Sequence, residues 1–416
     1  MILRSLQLNF NLTGIICRNL MLLQMSAARL KLLKNSLLLI ITCCLLNACN
    51  VDYETMASQR VEYAQKNQGE IVIVALQDSA RSHYINGVML AVDEINQHKG
   101  LSGRPLKLLV EQDSPDFESA IPTIQRIVSN PKVSAVMGHQ NTEVAIAASA
   151  IYEKAQVLFF SPFVSAQELT SHGFNYTFRM LADNKHLVKQ MSSLGRILGF
   201  KKVAVLYAHA DEYRELALLF KEAIRNDFSL VFDHALFSKS PDFRAILSDL
   251  KQKDADVIFL SGDSATAARL IKQAREMGIN IPVMGSGNLD SEIFKTSAGA
   301  AGNRTIVPTP YNVQAKNPIN QVFVASYRNK YNQLPDANAA QGYDSVMLFA
   351  DKVVRAGSTR PALLASIVHF SPPWTGVSGI YRFNKAGNIY GKPYFFRVLK
   401  NENWQMLSTP SPEEQH

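Results

Sequence analysis

The stretch VSAVMGHQNTEVAIAAS, residues 133–149, runs from an apolar strand pattern through a polar turn into an alanine-rich helix. Its chemistry is that of binding. Asn141 or Thr142 caps the helix, which leaves other first-turn N–H groups and one hydroxyl facing outward at the positive end of the helix dipole. Such a turn suits an oxygen-bearing end of a small molecule, while Glu143, in the first turn, satisfies its own helix. A second strand-to-helix turn, Gly262-Asp263-Ser264-Ala265-Thr266, comes one residue short of a nucleophile elbow. It lacks the last glycine, which relieves crowding behind a reactive serine, and His369 is the one base placed to serve it. Ser264 is more simply a helix cap, so no hydrolysis is expected. The first strand leads into ALQDSARS instead of G-x-G-x-x-G, and the nine histidines form no H-E-x-x-H or Cys/His grouping. His139 reads as a turn or core histidine. The chain is therefore expected to bind without catalysis, cofactor or metal.

The elements that must position these residues follow a regular pattern. Apolar runs IVIVAL (71–76), LKLLV (106–110), VSAVM (133–137) and VLFF (157–160) alternate with helical stretches. VAVLY (203–207), LVF (230–232), DVIFL (256–260) and IPVM (281–284) then do so again. Continuous apolar strands separated by amphipathic helices form buried parallel sheets covered on both faces. In the first helix, Ile85, Val88, Met89, Val92 and Ile95 share one face, with Gly100 near the end. Two such blocks predict an α/β chain of two doubly wound lobes. Ligands of such sheets sit beyond the carboxyl ends of the strands, where the turn after Gly138 lies.

The ends of the chain bear on compartment. Residues 1–49 contain no acid, and Arg29, Lys31 and Lys34 precede an apolar run that closes at Leu46-Asn47-Ala48-Cys49. The run is too short to span a membrane and stay, and reads as a secretory signal over 1–48; an uncleaved anchor helix is the alternative. A start at Met25 or Met21 leaves a signal of ordinary length, with residues 1–24 dispensable or untranslated. The closing tetrapeptide resembles the bacterial lipoprotein box, which implies that Cys49 is lipidated and holds the chain at a membrane. Residues 50–68 read as a polar tether and 409–416 as a frayed tail. The five basic residues of the signal account for most of the +8 charge, which falls to +3 without them. No basic run with interleaved aromatics is present, so no nucleic-acid partner is expected. All four cysteines lie at or before position 49, so a folded part of about 340 residues is held by its core and not by disulfides.

The order of further motifs carries a resemblance. AVDEIN (91–96), GLSGRPLKLLVEQD (100–113), VMGHQNTEVAIAASAIYEKAQVLFFSP (136–162) and FRM (178–180) come first. KKVAVLY (201–207), DF (242–243), VIFLSG (257–262), RLIKQAREMGI (269–279), GYDSVMLFADKVVRAG (342–357) and GIYRFNKAGN (379–388) follow. Together they resemble the leucine/isoleucine/valine-binding family of periplasmic solute receptors, from about residue 70 to about 400. The resemblance implies two lobes joined by a hinge of three crossovers, near 181–184, 285–290 and 374–380. Lobe one is then 69–182 plus 290–373, and lobe two 183–289 plus 374–408.

The resemblance also implies a site. Hydroxyl residues at the positions of Thr142 and Ser165 hold an amino acid's carboxylate and ammonium groups, and the backbone of Phe163 with the Gln140-Asn141 turn lines the same wall. The opposite lobe supplies a tyrosine, matched by Tyr213, and an acid whose position is taken here by Thr266. Asp263 or Glu212 could stand in for that acid. Arg214 replaces the glycine that ordinarily follows the tyrosine, and the loop QDSARSHYING is shorter than usual. The function implied is a lipid-anchored extracytoplasmic receptor that delivers a small polar solute, an amino acid or an amide-like molecule, to an ABC permease by hinge closure. A sensor protein as partner, or an envelope regulator of the same fold like the activator of penicillin-binding proteins, is the alternative. Asn50 is not the aspartate that retains a lipoprotein at the inner membrane.

Overall fold

The structure, a computed structural model, describes residues 52–78, 82–236 and 242–407. The signal, Cys49, the tail and residues 79–81 of the short loop lie outside the described residues. In chain order the elements begin with α1 (Tyr53–Lys66), β1 (Ile71–Gln77), α2 (Ser82–Gln97), β2 (Leu106–Gln112), α3 (Phe117–Ser129), β3 (Val133–Met137), α4 (Thr142–Lys154), β4 (Leu158–Ser161) and β5 (Thr177–Arg179). Next come α5 (Asn184–Ile197), β6 (Lys202–Ala208), α6 (Asp211–Ile224), β7 (Ser229–Leu236), α7 (Arg244–Lys251), β8 (Val257–Ser261), α8 (Ser264–Glu276), β9 (Val283–Gly285), α9 (Glu292–Ala298) and β10 (Thr305–Thr309). The chain ends with α10 (Pro318–Tyr331), α11 (Ala337–Ala356), α12 (Pro361–Phe370), β11 (Trp374–Gly376), β12 (Gly379–Tyr381), β13 (Phe395–Lys400) and β14 (Asn403–Met406).

Two sheets carry the two lobes. The first runs β2-β1-β3-β4-β5, parallel throughout, and the second runs β14-β13-β10-β9-β8-β6-β7. Each is sandwiched between two apolar layers because its strands, IVIVALQ and VIFLS among them, present apolar side chains to both faces. In the second sheet β13 and β14 are antiparallel additions at the edge next to β10.

Three expectations need correction. Residues 290–309 do not turn back to the first lobe: β10 pairs with β9 and β13, and Phe294, Ala298 and Val307 fill the second lobe's core. The chain recrosses after Thr309, for Tyr311 already packs in the first core. Residues 374–389 likewise stay with the first lobe, where Val377, Tyr381, Phe383 and Ile389 are buried, and the last crossover comes between Ile389 and Tyr394. Third, the expected tether is largely the helix α1. Ala57, Arg60 and Ala64 fall on one buried face of it. The Arg60 guanidinium is 2% exposed and donates to the carbonyls of Val128 (2.8 Å), Asn130 (3.0 Å), Val133 (2.8 Å) and Ala155 (2.5 Å). It thereby satisfies helix-end carbonyls of α3 and α4 that would otherwise be buried unpaired.

Candidate functional site

Strand order reverses between β1 and β3 in the first sheet and between β6 and β8 in the second, and ligands of doubly wound sheets bind at such switch points. At the tip of β3 the backbone of Gly138 has φ 140°, and an added Cβ would lie 2.7 Å from the Cβ of Leu76. Only glycine fits there, and it turns the chain into His139-Gln140-Asn141. His139 is buried, within 2.8 Å of Asp113 Oδ1 through Nδ1 and 2.9 Å of the Tyr152 hydroxyl through Nε2. The arrangement fits an Nδ1–H donor and an Nε2 acceptor. Asp113 also takes the Gln140 N–H on Oδ2 at 2.7 Å. Burial pushes the Asp113 carboxyl up, but the hydrogen bond and charge of His139 and the N–H groups of Gln140 and Ser114 hold it below the usual carboxylate range. The turn is therefore pinned from behind.

On this platform Asn141 is the helix cap, accepting from Val144 N–H at 3.0 Å while its amide donates to Pro115 O at 3.1 Å. Both ends of its side chain are engaged. Thr142, first residue of α4, is left with a hydroxyl that donates to Glu212 Oε2 of the other lobe at 2.8 Å. The Gln140 amide donates to Leu76 O at 3.3 Å, while its Oε1 is buried with no partner among the described residues. Phe163, half-buried, meets the edge of buried Tyr84 at 4.9 Å between centroids, and the Tyr84 hydroxyl also has no partner among the described residues. Ser165 is half-buried on the same loop. Arg179 holds that loop in place, donating to the carbonyls of Val164 (3.2 Å) and Ala166 (2.6 Å) and to Thr170 Oγ1 (2.8 Å). Burial lowers its pKa to about 10.

The facing wall is the start of α6. Glu212 reaches Thr142, and Glu215, one turn on, accepts from the Gln167 N–H at 3.1 Å and the Asn184 amide at 3.4 Å. Spaced at i and i+3, the two carboxylates share one helix face, which bridges to the first lobe. Tyr213 accepts from the Asn288 amide at 3.4 Å. Burial, then the carboxylate of Glu212 and its hydrogen bond, and last Asp263, push the Tyr213 phenol up. Asp263 caps α8, accepting from Thr266 N–H at 2.8 Å, and Thr266 is buried in that first turn.

Of the expected residues, Thr142, Glu212 and Tyr213 are thus brought to one seam between the lobes, with Asp263 near Tyr213. Ser264 and His369 are held apart by their own partners. The serine hydroxyl donates to Asn288 O at 2.8 Å, while the histidine ring lies 3.1 Å from Asn384 O and 3.0 Å from Asn175 O. Sequence reasoning missed Asp113, Arg179 and Glu215. Asp113 and Arg179 had a readable signal: an acid ending the β2 motif and an arginine ending β5 stand where a doubly wound sheet places its site. Two surface depressions of about 530 Å³, beside Val313 and Arg328, and about 540 Å³, beside Phe200 and Arg304, lie away from the residues of the seam.

Comparison with known proteins bears on the family and the fold. A family model described as periplasmic binding protein matches residues 76–403. The chain is 24% identical over 319 residues to a leucine-, isoleucine-, valine-, threonine- and alanine-binding protein of Pseudomonas aeruginosa, covering 76% of this chain and 83% of that one. Among solved structures it is similar to a branched-chain amino acid transporter substrate-binding protein of Streptococcus pneumoniae in complex with isoleucine, at 26% identity and TM-score 0.73, covering 82% of this chain and 99% of that one. An ABC transporter substrate-binding protein of Desulfitobacterium hafniense in complex with leucine is 25% identical, with TM-score 0.74, covering 82% and 100%.

Proposed function

Because the chain belongs to the periplasmic binding protein family, whose fold and order of motifs it carries through residues 76–403, we propose that it is the receptor of an ABC importer for a small zwitterionic solute of the branched-chain amino acid class. The observation that carries this reading is the 2.8 Å contact of Thr142 and Glu212 across the lobes. It brings a helix-end hydroxyl, suited to a carboxylate, together with a carboxylate, suited to an ammonium group. A solute bearing both charges satisfies both walls, and burial of either charge without its partner would be unfavourable. Glu212 so takes the part that the position of Thr266 leaves unfilled. Ser165 and the backbone at Gln140 and Phe163 complete the first-lobe wall, and Tyr213 closes the second. The hydroxyl of Tyr84 and Oε1 of Gln140, unpartnered among the described residues, are further groups that a bound solute can satisfy. Lipidation at Cys49 would hold the receptor at the membrane beside its permease.

The test is calorimetric titration with leucine, isoleucine, valine, threonine and alanine, for wild type and Thr142→Ala. At least one of these is expected to bind, with the variant weaker by about tenfold or more, the loss of one charge-assisted hydrogen bond. Unchanged affinity in the variant would remove the site. A second reading has one observation in its favour: Glu212 and Glu215 join the lobes through the protein's own groups, as an envelope regulator that recognises a protein partner would need. Titrations silent for the whole panel would favour it.

A further inference from the structure

A buried polar cluster that the solute site does not use ties the first crossover to the third. Lys392, in the third, is 1% exposed and donates to Met180 O at 3.3 Å, at the entry to the first, and to Ser378 Oγ at 2.9 Å. Its Nζ stands 3.7 Å from the ring centroid of Tyr381. Asp344, fully buried on α11, accepts from the N–H groups of Val377 (2.8 Å) and Ser378 (3.0 Å), from the Tyr381 hydroxyl (2.9 Å) and from the Ser378 hydroxyl. The Tyr381 hydroxyl also lies 3.3 Å from Gln341 Oε1, and Gln341 donates to Pro162 O at 2.8 Å. Pro162 directly precedes Phe163 of the solute-site loop. A hydrogen-bonded path therefore connects the crossovers with that loop.

We propose that this cluster is a hinge pin: Lys392 binds the first and third crossovers to each other, and its protonation sets the balance between the closed arrangement and more open ones. Hydrogen-bond counting supports the neutral amine when closed. A neutral lysine has two N–H groups, matched by Met180 O and Ser378 Oγ, and Asp344 has its own donors. A protonated lysine has a third N–H, for which only the Tyr381 ring face remains among the described residues, and its charge is separated from Asp344 by the Ser378 hydroxyl. Burial accordingly lowers Lys392 to about 7, against the pull of Asp344. Asp344 is itself pushed up by burial, against Lys392 and its donors. Asp344 from α11 and Tyr381 from β12 are the titratable groups facing Lys392, the guanidinium of Arg382 lies beside the preceding Gly391, and the first crossover contributes the Met180 carbonyl.

The sign follows by linkage. An open hinge that wets Lys392 returns it toward its ordinary 10.5, so opening takes up a proton and closure releases one. Closed molecules therefore gain as pH rises from about 7.

The test needs no solute, which keeps its outcome separate from the reading above. Fluorophores are placed on the full chain through non-natural amino acids at the exposed positions 89 on α2 and 218 on α6, and energy transfer is followed from pH 6 to pH 9. Emission of Trp374, whose ring lies 5.4 Å from that of Tyr381 at an angle of 50°, reports the cluster. Wild type is expected to shift toward the closed distance as pH rises above about 7, matched by Trp374, and Lys392→Met to lose both responses. Asp344→Asn should move the onset of the shift to lower pH. A wild-type distance that does not change, or an equal shift in Lys392→Met, overturns the proposal. If Lys392→Met does not fold, Lys392→Arg, always charged, must stay open across the range; a response like that of wild type overturns the proposal equally.

Discussion

At the scale of single residues, the proposed solute site rests on groups behind the turn after β3. Asp113 receives the turn through Gln140 N–H and orients His139, which in turn meets Tyr152. Truncation to alanine leaves a buried imidazole N–H and a backbone N–H without an acceptor. Asp113→Ala is accordingly expected to lose about 2–4 kcal/mol of stability in urea unfolding and to weaken solute binding. Retained stability would show the triad to be ornamental. The cap role of Asn141 or Thr142 could be read from residue type at a strand-to-helix turn, and Thr142 and Tyr213 as site residues from the family resemblance. The choice between Glu212 and Asp263 could not, because it depends on which side chain crosses between lobes. Asp263 is engaged by its own helix at 2.8 Å, and Glu212 is the one that crosses.

At the scale of elements, alternation of apolar strands with amphipathic helices was enough to read the sheets, because parallel strands buried on both faces leave a continuous apolar run. Strand β10, TIVPT, was missed: it is short, contains Pro308, and gains its place from pairing with β9 and with β13 far along the chain. Helix α1 was missed for a different reason. Its composition is polar, and it docks through small apolar residues such as Ala57 and Ala64 and one buried arginine on carbonyls at the ends of α3 and α4. Arg60→Ala removes those donors and leaves the carbonyls buried. It should lower unfolding free energy by about 3 kcal/mol and release α1, seen as fast amide exchange over residues 53–66. Continued protection of these amides would mean that apolar contacts alone hold the helix.

At the scale of the whole molecule, two lobes meet with hydroxyls and amide groups on one wall and carboxylates on the other. On the proposed reading this asymmetry suits a solute carrying both charges in a short span, with α6 supplying the negative side through Glu212, which meets Thr142 across the lobes. The most direct test is competition between leucine and its des-amino analogue 4-methylpentanoate, titrated into wild type and Glu212→Gln. Wild type is expected to prefer leucine by about a hundredfold, the worth of a buried ammonium partner, and Glu212→Gln to lose most of that preference. Equal binding of the two compounds by wild type, or a preference that survives in Glu212→Gln, would contradict the assignment of Glu212 and the zwitterionic solute with it.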